Sequence, residues 1–530
     1  MIIRNFALAS AASLLLAVLP ARGEDVLRIA MTASDVPTAT GMPNNGFEGM
    51  RFLGYPIFEG LVLWDLSRAD RLADLRPGLA TSYEQAPGDK RTWIFHLRRG
   101  VKFHDGTDFN ADAVIWNLDR YFKSDSPQFD RQGAGITRSR VPVLDTYRKI
   151  DADTVAITTK EPASYFPYMA VYILFTSPAS FEKAGIRGWA RVERLPAAGT
   201  GPFRLSKVLP REFAELTRFE GYWDQAHKAN VETIRLLPIP EANDRLAALR
   251  SGQVDWIEVP PPDSIPSLKA AGFSVVTNSY PQTWPWMYNM GATNSPFKDV
   301  RVRQALNYCI DRDGLVALLN GTAEPSVGWL KPANPGFGKP ANRYGFDPAK
   351  GKALLAEAGY TAAKPLSFKV MISTSGSGQM LPLPMNEYLQ DNLKQACGVE
   401  VEFDAVDFGT VLWADPDSSA LRGAMALNFS APTSDVGVMA RYFSSANFSA
   451  GFNFGRWKDD KFDAALAMLA DATDAGTIDA SYRTAHERLV DNPPWLYIIH
   501  DLNPRAMSKT VKGFISAQSW FLDLTLVGRH

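Results

Sequence analysis

Apolar and polar residues alternate along residues 92–121 in a way that predicts a strand, a tight turn and a helix in succession. The apolar positions recur at every second residue, as in a strand with two unlike faces, and they are Trp93, Phe95 and Leu97. Asp105-Gly106 then indicates a turn, because glycine adopts positive φ at no steric cost. Asn110 suits the N-cap of a helix whose apolar stripe contains Val114 and Leu118.

The same two periodicities continue along the chain and predict a mixed α/β protein. Strands are predicted at residues 25–32, 154–158, 368–373, 399–403 and 495–500. Helices are predicted at residues 242–254, 299–310, 347–359, 384–396 and 481–491. Residues 124–143 are polar and aperiodic, which favours an irregular surface segment that carries Arg131, Arg138 and Arg140.

The length of 530 residues exceeds what one hydrophobic core organises, so two or three domains are expected. The charges are balanced, with 56 Lys and Arg residues against 57 Asp and Glu residues. A nucleic-acid-binding protein would show a basic excess, and that class is therefore disfavoured.

The N-terminus has the pattern of a secretory signal peptide. Arg4 precedes an apolar run at residues 6–19, and Ala21-Arg22-Gly23 fits a cleavage site, so we expect residues 1–23 to be removed. No cysteine follows this run, so we do not expect a lipid anchor. The prediction is an exported protein, most simply a periplasmic one.

The chain shows no local pattern of a metal centre or a catalytic site. Its two cysteines, Cys309 and Cys397, form either one disulfide or two buried thiols. No two of the six histidines are three or four residues apart, so neither metal nor cofactor is expected. Residues 345–353 miss the spacing of a phosphate-binding loop, and Ser377 misses that of a nucleophile elbow. We predict a protein without enzymatic activity and keep an exported hydrolase as the alternative.

Several strings of the chain together resemble the signatures of one family. They are WIFHLRRGVKFHDGTDF at residues 93–109, YPIFEGLV at 55–62, LRPGLATSYE at 75–84, GTGPF at 199–203 and SPFKDVRVRQAL at 295–306. They resemble family 5 of the extracytoplasmic solute-binding proteins, which are receptors of ABC importers for peptides, opines and nickel.

The resemblance implies a two-lobed periplasmic binding protein of type II, with an extra inserted domain and a ligand cleft between the lobes. Lobe I would comprise residues 24–68, 197–285 and 490–530, inserted domain II residues 69–196, and lobe III residues 286–489. The implied partners are a small solute and an ABC permease in the inner membrane, and the implied state is a monomer. A sensory or chaperone role for the same fold stays open.

The resemblance also indicates which residues would contact the solute. The segment that leaves the hinge borders the ligand in the family, which selects Trp284, Trp286, Tyr288 and Asn289. The alternative for these side chains is the hydrophobic core. The weaker candidates are Trp413, Asn45 and Tyr55.

Asp435 matches the acidic residue with which peptide receptors of the family pair the α-ammonium of a peptide. Its alternative is an exposed helix N-cap. The residues around it differ from the family motif, so an opine, a glycoside or a metal chelate is considered beside a small peptide. Arg441 and Arg422 would suit a carboxylate clamp, and surface positions are their alternative.

Overall fold

The computed structural model describes residues 25–38, 40–43, 46–189, 198–373, 380–406, 423–433, 435–448 and 452–529. The predicted signal peptide and the turn at Ser377 lie outside these ranges. So do three of the candidate binding residues, Asn45, Trp413 and Arg422.

The strands of the described residues are β1 (Val26–Met31), β2 (Val62–Trp64), β3 (Leu75–Pro77), β4 (Ala80–Ala86), β5 (Asp89–Leu97), β6 (Leu144–Asp151), β7 (Thr154–Thr159), β8 (Phe203–Leu209), β9 (Phe213–Arg218), β10 (Thr233–Pro238), β11 (Trp256–Glu258), β12 (Ser274–Val276), β13 (Gln282–Tyr288), β14 (Ala323–Pro325), β15 (Ser367–Ser373), β16 (Glu400–Val406), β17 (Ala426–Asn428), β18 (Ala431–Pro432), β19 (Trp495–Asp501), β20 (Arg505–Met507), β21 (Val511–Lys512) and β22 (Gly528–Arg529).

The α-helices of the described residues are α1 (Gly46–Gly49), α2 (Ala111–Phe122), α3 (Arg131–Arg140), α4 (Phe166–Ala170), α5 (Pro178–Trp189), α6 (Ala242–Arg250), α7 (Ile265–Ala270), α8 (Val300–Tyr308), α9 (Arg312–Leu318), α10 (Pro348–Glu357), α11 (Pro382–Cys397), α12 (Val436–Phe443), α13 (Asp460–Asp471) and α14 (Ala475–Asp491). A π-helical turn, Met50–Gly54, follows α1 directly.

The strand, turn and helix predicted between residues 92 and 121 are confirmed as β5 and α2. Gly106 has a φ of 86° in the turn between them. The side chain of Asn110 accepts a hydrogen bond from the amide of Ala113 at 3.0 Å and so caps α2. The prediction of an irregular segment was wrong for residues 131–140, which form α3. Asp130 caps that helix by accepting from the amide of Gly133 at 2.9 Å.

Three sheets organise the molecule. The first sheet has the order β12-β20-β11-β1-β10-β9-β8, with β1 parallel to both of its neighbours. The second sheet has the order β14-β19-β13-β17-β15-β16, and β18 also pairs with β13. The third sheet, β4-β5-β7-β6, is antiparallel throughout. The fold is therefore α/β, with two large mixed sheets and one smaller antiparallel sheet.

The chain passes from the first sheet to the second between β12 and β13, and it returns between β19 and β20. These two connections lie side by side, because the amide of Asn278 donates to the carbonyl of Leu502 at 3.1 Å. The boundary of lobe I at residue 490 stays a prediction. β19 pairs with β13 in the second sheet and is buried along its whole length. A central strand of this kind needs partners on both edges, and β14 and β13 provide them.

Within the described ranges, no helix combines the length and the hydropathy that crossing a membrane requires.

The two cysteines form a disulfide between the ends of two helices, Cys309 after α8 and Cys397 at the end of α11, with their Cα atoms 6.0 Å apart. The sequence had left a pair of free thiols open as the alternative. The bond links residues separated by 88 positions. A cross-link of that span typically stabilises a fold by about 2–5 kcal/mol.

Gly351 in α10 leaves the room that this disulfide needs. A Cβ atom at this position would lie 2.4 Å from Sγ of Cys309 and 3.1 Å from Sγ of Cys397. Gly135 in α3 is a contrasting helical glycine, because a Cβ atom there would meet nothing within 4 Å.

We expect Gly351→Ala to lower the free energy of unfolding by about 1–3 kcal/mol, since the new methyl group overlaps a sulfur atom. Gly135→Ala should instead raise it by up to about 1 kcal/mol, because alanine favours a helix over glycine. Chemical denaturation followed by circular dichroism measures both changes.

The sulfur atoms themselves provide the control. In a protein that already carries Cys309→Ala and Cys397→Ala, the further change Gly351→Ala should lower the free energy of unfolding much less. A cost of equal size with and without the sulfur atoms would contradict the steric explanation.

Candidate ligand-binding cleft

The aromatic residues of β13 lie in the core of the second sheet. Trp284, Trp286 and Tyr288 are fully buried in one hydrophobic cluster. Nε1 of Trp286 donates to Oδ1 of Asn386 at 2.7 Å. The ring of Tyr288 stacks on that of Phe297, with 4.4 Å between the ring centres. The structure thus places these three residues in the core, which was the alternative that the sequence left open.

Asn289 anchors the turn that follows β13. Its Oδ1 accepts from the amides of Gly291 at 3.1 Å and Ala292 at 3.2 Å. Its Nδ2 donates to the carbonyl of Ala424 at 3.1 Å. Its polar atoms are therefore used within the protein.

Tyr55 borders a cavity of about 400 Å³ together with Glu59 and Arg76. The hydroxyl of Tyr55 accepts a hydrogen bond from the amide of Trp64 at 2.7 Å. The buried carboxylate of Glu59 accepts from the hydroxyl of Tyr222 at 2.9 Å, and burial raises the pKa of Glu59. Fixed hydrogen bonds of this kind give the wall of the cavity a structural role.

Asp435 is a helix N-cap that also borders a cavity. Its Oδ1 accepts from the amide of Val438 at 2.9 Å, so it is the N-cap of α12. It is not an exposed cap, since only 6% of its surface is accessible. It also lines a cavity of about 580 Å³.

This cavity lies between two parts of the chain that are distant in sequence. One wall comes from the region of the third sheet: Arg71, Leu72, Ala73, Asp74, Ser164, Tyr165 and Tyr168. The other wall comes from the region after α9: Asn334, Pro335, Gly336, Thr433, Asp435, Val436, Leu469, Ile478, Asp479, Tyr482 and Arg483. A cavity of this size, bordered by tyrosines and a few charged groups, is typical of a small-molecule site.

The charge of Asp435 acts on three tyrosines. Burial raises the pKa values of Tyr168, Tyr172 and Tyr482, and the negative charge of Asp435 raises them further. All three hydroxyls stay protonated at neutral pH and can donate hydrogen bonds. The hydroxyl of Tyr168 donates to Asp74 at 3.0 Å.

Arg441, in the last turn of α12, is buried rather than on the surface, with 1% of its area accessible. Three aromatic rings enclose its guanidinium. The ring centres of Phe452, Tyr442 and Tyr172 lie 4.9, 5.0 and 5.5 Å from its Cζ.

Arg140, at the end of α3, was not among the predicted binding residues. It is buried, and its Cζ lies 5.7 Å from the ring centre of the same Tyr172. Burial, together with the charge of Arg441, lowers the pKa of Arg140 to about 10. No periodicity could have revealed this residue, because its burial depends on the packing of α3 against α12.

Tyr172 contacts both arginines, because the Cζ atoms of Arg140 and Arg441 lie 5.7 and 5.5 Å from its ring centre. The ring also lies 5.9 Å from that of Phe521, near the C-terminus. Residues from α3, α12 and the C-terminal segment therefore converge on one buried site, which we call the Tyr172 site.

A model of the family "Bacterial extracellular solute-binding proteins, family 5 Middle" matches residues 74–451. The chain belongs to this family. The resemblance of the sequence motifs is thereby confirmed, and the protein is a solute-binding protein.

Individual relatives of this solute-binding protein agree with that assignment. It is 28% identical over 454 residues to the glutathione-binding protein GsiB of Escherichia coli K12, covering 84% of each chain. The structure of the periplasmic binding protein DppA from Helicobacter pylori, in complex with the peptide STSA, superimposes with a TM-score of 0.79. That match has 20% identity and covers 95% of this chain and 98% of the other. AgaA of A. tumefaciens R10, in complex with agropinic acid, gives a TM-score of 0.78 at 20% identity, with 95% and 99% covered.

The buried histidines of the solute-binding protein have backbone partners. Ring nitrogens of His104, His486 and His500 donate to main-chain carbonyl oxygens at 2.9, 2.8 and 3.1 Å. Burial lowers their pKa values to about 4, 4 and 3. No group of three or more His, Cys, Asp or Glu residues that could hold a metal lies in the described part of the chain.

A buried carboxylate joins the elements at the junction of the two large sheets. Glu258 of β11 forms ion pairs with Arg51 and with Arg505, the latter at 2.8 Å. It also accepts from Nε1 of Trp256 at 2.8 Å. Arg51 in turn donates to the hydroxyl of Tyr280 at 2.6 Å, just before β13. The π-helical turn, β11, β20 and the approach to β13 are thus held together.

Asp501 lies at the same junction, at the end of β19. Its Oδ1 accepts from the amide of Asn503 at 2.6 Å, and its Oδ2 accepts from Nε2 of Gln282 at 3.3 Å. Burial raises the pKa of Asp501 to about 7. The folded protein therefore holds a proton that the unfolded chain releases near pH 4.

We expect Asp501→Asn to stabilise the protein at pH 8 and to have little effect at pH 4. Because the folded-state pKa lies above the unfolded value, the stability contributed by this group falls as the pH rises from about 4 to about 7, by up to about 4 kcal/mol. Asparagine cannot ionise, so it avoids this loss. Denaturant unfolding of both proteins across pH 4–8 measures the difference.

Asp313→Asn, at an exposed position, is the control for the substitution itself. A stabilisation by Asp501→Asn that does not grow between pH 4 and pH 7 would contradict the assignment.

Proposed function

We propose that this chain is the periplasmic receptor of an ABC importer and that it binds a small peptide or peptide-like solute between its lobes. The observation that carries the proposal is the cavity of about 580 Å³ between two parts of the chain that are distant in sequence, with Asp435 in its wall. Arg71 and Arg483 also line this cavity, so a solute with an ammonium group and a carboxylate matches its charges.

The relatives support this class of solute. By their names, GsiB binds glutathione, the H. pylori protein holds a peptide, and AgaA holds agropinic acid. All three ligands are peptides or small organic acids. An opine or another amino-acid conjugate therefore stays within the proposal.

We further propose that the chain is exported with removal of residues 1–23 and acts as a monomer. It would deliver its solute to a permease in the inner membrane. Closure of the lobes around the solute would rotate them about the junction at Glu258, and the solute would drive closure through its higher affinity for the closed form.

Native mass spectrometry of the exported protein, before and after mild denaturation, tests the proposal directly. We expect a small molecule of peptide-like composition to be released, because a closed cleft releases its ligand slowly. Thermal-shift screening of peptides and opines against the emptied protein should then give midpoints that rise with concentration. The absence of any stabilising peptide or opine would contradict the proposal.

Within this proposal, Asp435 binds the ammonium group of the solute. We expect Asp435→Asn to weaken binding about 10- to 100-fold, as expected when one partner of a desolvated charge pair is removed. Asparagine is itself a good N-cap, so the stability of the empty protein should change by less than about 1 kcal/mol. Calorimetric titration with the released solute, or with the best peptide of the screen, measures the affinity.

Two controls separate charge recognition from helix capping. Asp347 caps α10 by accepting from the amide of Lys350 at 3.0 Å, so Asp347→Asn should leave affinity unchanged. An N-acetylated form of the same solute should bind the native protein and the Asp435→Asn variant equally weakly. If Asp435→Asn bound the solute that is not acetylated as tightly as the native protein does, this role for Asp435 would be excluded.

A further inference from the structure

The smaller cavity, of about 400 Å³, is separate from the cavity at Asp435. The two cavities share no lining residue, and no described residue from 228 to 521 lines the smaller one. That interval contains the strands of the second sheet. A movement of the second sheet would therefore leave the walls of the smaller cavity in place. We call this cavity, which Arg76 lines, the Arg76 cavity.

Arg76 brings a half-buried positive charge to this cavity from β3, a strand that pairs with β2. Half-buried arginines elsewhere donate to protein oxygen atoms, as Arg98 does to the carbonyl of Gly78 at 3.2 Å and Arg138 to that of Tyr121 at 2.8 Å. Arg76 makes no hydrogen bond and no ion pair with any residue that the structure describes. Its N–H donors are therefore available to a ligand.

Two aspartates line the same cavity, and each uses only one of its oxygen atoms. Oδ1 of Asp65 accepts from the amide of Ser67 at 3.1 Å, and Oδ1 of Asp523 accepts from the amide of Thr525 at 2.8 Å. Neither Oδ2 atom accepts a hydrogen bond from a described residue. The hydrogen bonds from Ser67 lower the pKa of Asp65, so this carboxylate is charged at neutral pH.

The opposite charges of the cavity do not touch each other. The charge of Asp523 acts on Arg76, but the two groups form no ion pair. Asp65 likewise has no ion pair with a described arginine or lysine. A molecule that carries an anion and a cation a short distance apart could contact both kinds of group at once, and a simple acid or a simple amine could not.

The rest of the wall is largely aromatic. Tyr55, Trp64, Phe203 and Tyr222 line the cavity, and hydrogen bonds hold the hydroxyls of Tyr55 and Tyr222 in place. A preformed wall of this kind, with a few polar groups, suits a small ligand that has an apolar part. Ala226 also lines the cavity and is exposed, so the cavity reaches the surface there.

We propose that the Arg76 cavity is a second ligand site of this protein and that it binds a free amino acid with an apolar side chain. Arg76 would donate to the α-carboxylate, and Asp65 and Asp523 would accept from the α-ammonium. The aromatic rings would enclose the side chain. The volume, which is smaller than that of the cavity at Asp435, favours a single amino acid over a peptide. This site goes beyond the proposed receptor function and does not depend on it.

Calorimetric titration with L-phenylalanine, L-leucine and L-methionine tests the site. We expect binding of one molecule per chain, whether or not the purified protein still holds a solute in its larger cavity. The probes 3-phenylpropionate and phenylalanine amide each lack one of the two charges. Both should bind at least about 10-fold more weakly than phenylalanine, because each leaves one charged group of the cavity without a partner.

Two variants locate the binding. Arg76→Gln should weaken the binding of phenylalanine about 10- to 100-fold and should remove the difference between phenylalanine and its amide. The control is Arg131→Gln, at an exposed position on α3, which should retain the native affinity. Ala226→Trp should block the cavity while Ala226→Ser leaves it open. Because Ala226 is exposed, neither of these two changes removes a core contact.

Each result either supports the site or overturns it. The proposal is wrong if none of the three amino acids binds, or if Arg76→Gln or Ala226→Trp retains the native affinity for phenylalanine. Loss of phenylalanine binding in Asp435→Asn would place the amino acid in the larger cavity and would also overturn the proposal. The receptor function fails separately, since it is judged by the binding of peptides and opines, which Arg76→Gln should leave unchanged.

Discussion

The carboxylate of Glu258 is the interaction on which the arrangement of the two large sheets depends. It is buried at the point where the chain passes between them, and it compensates Arg51 and Arg505 at once. Those arginines come from the turn after α1 and from β20, so one anion fixes three chain segments that are far apart in sequence. Removing a single partner of such a group would leave a charge buried in a medium of low dielectric constant, which costs several kcal/mol.

The protein meets the cost of burying a guanidinium in two different ways. At the junction, Glu258 supplies the anion for Arg51 and Arg505. Elsewhere, main-chain carbonyl oxygens accept hydrogen bonds from Arg245 and Arg312. At the Tyr172 site, aromatic rings enclose the guanidinium of Arg441 instead. A ring face attracts a cation but accepts no strong hydrogen bond, so this second solution rests on cation–π contacts.

Local chemistry made much of the fold predictable. The period-2 pattern of β5, the turn at Gly106 and the cap at Asn110 depend on neighbours in sequence, and all three were predicted correctly. The short motifs likewise sufficed to indicate the family. The disulfide was left open, because the distance between Cys309 and Cys397 depends on how α8 and α11 pack. Only the structure shows that Gly351 lies against the two sulfur atoms and leaves room for them.

The candidate site was harder to predict, for a physical reason. β13 is buried on both faces, and a central strand of this kind presents aromatic side chains to the core in the same pattern as a strand that borders a cleft. The sequence could not separate the two for Trp284, Trp286 and Tyr288. Arg140 belonged to a polar segment without periodicity, so its burial by α12 left no trace in the pattern. Asp435 was selected through the family motif, and the structure adds that capping a helix and facing a cavity are compatible for one carboxylate.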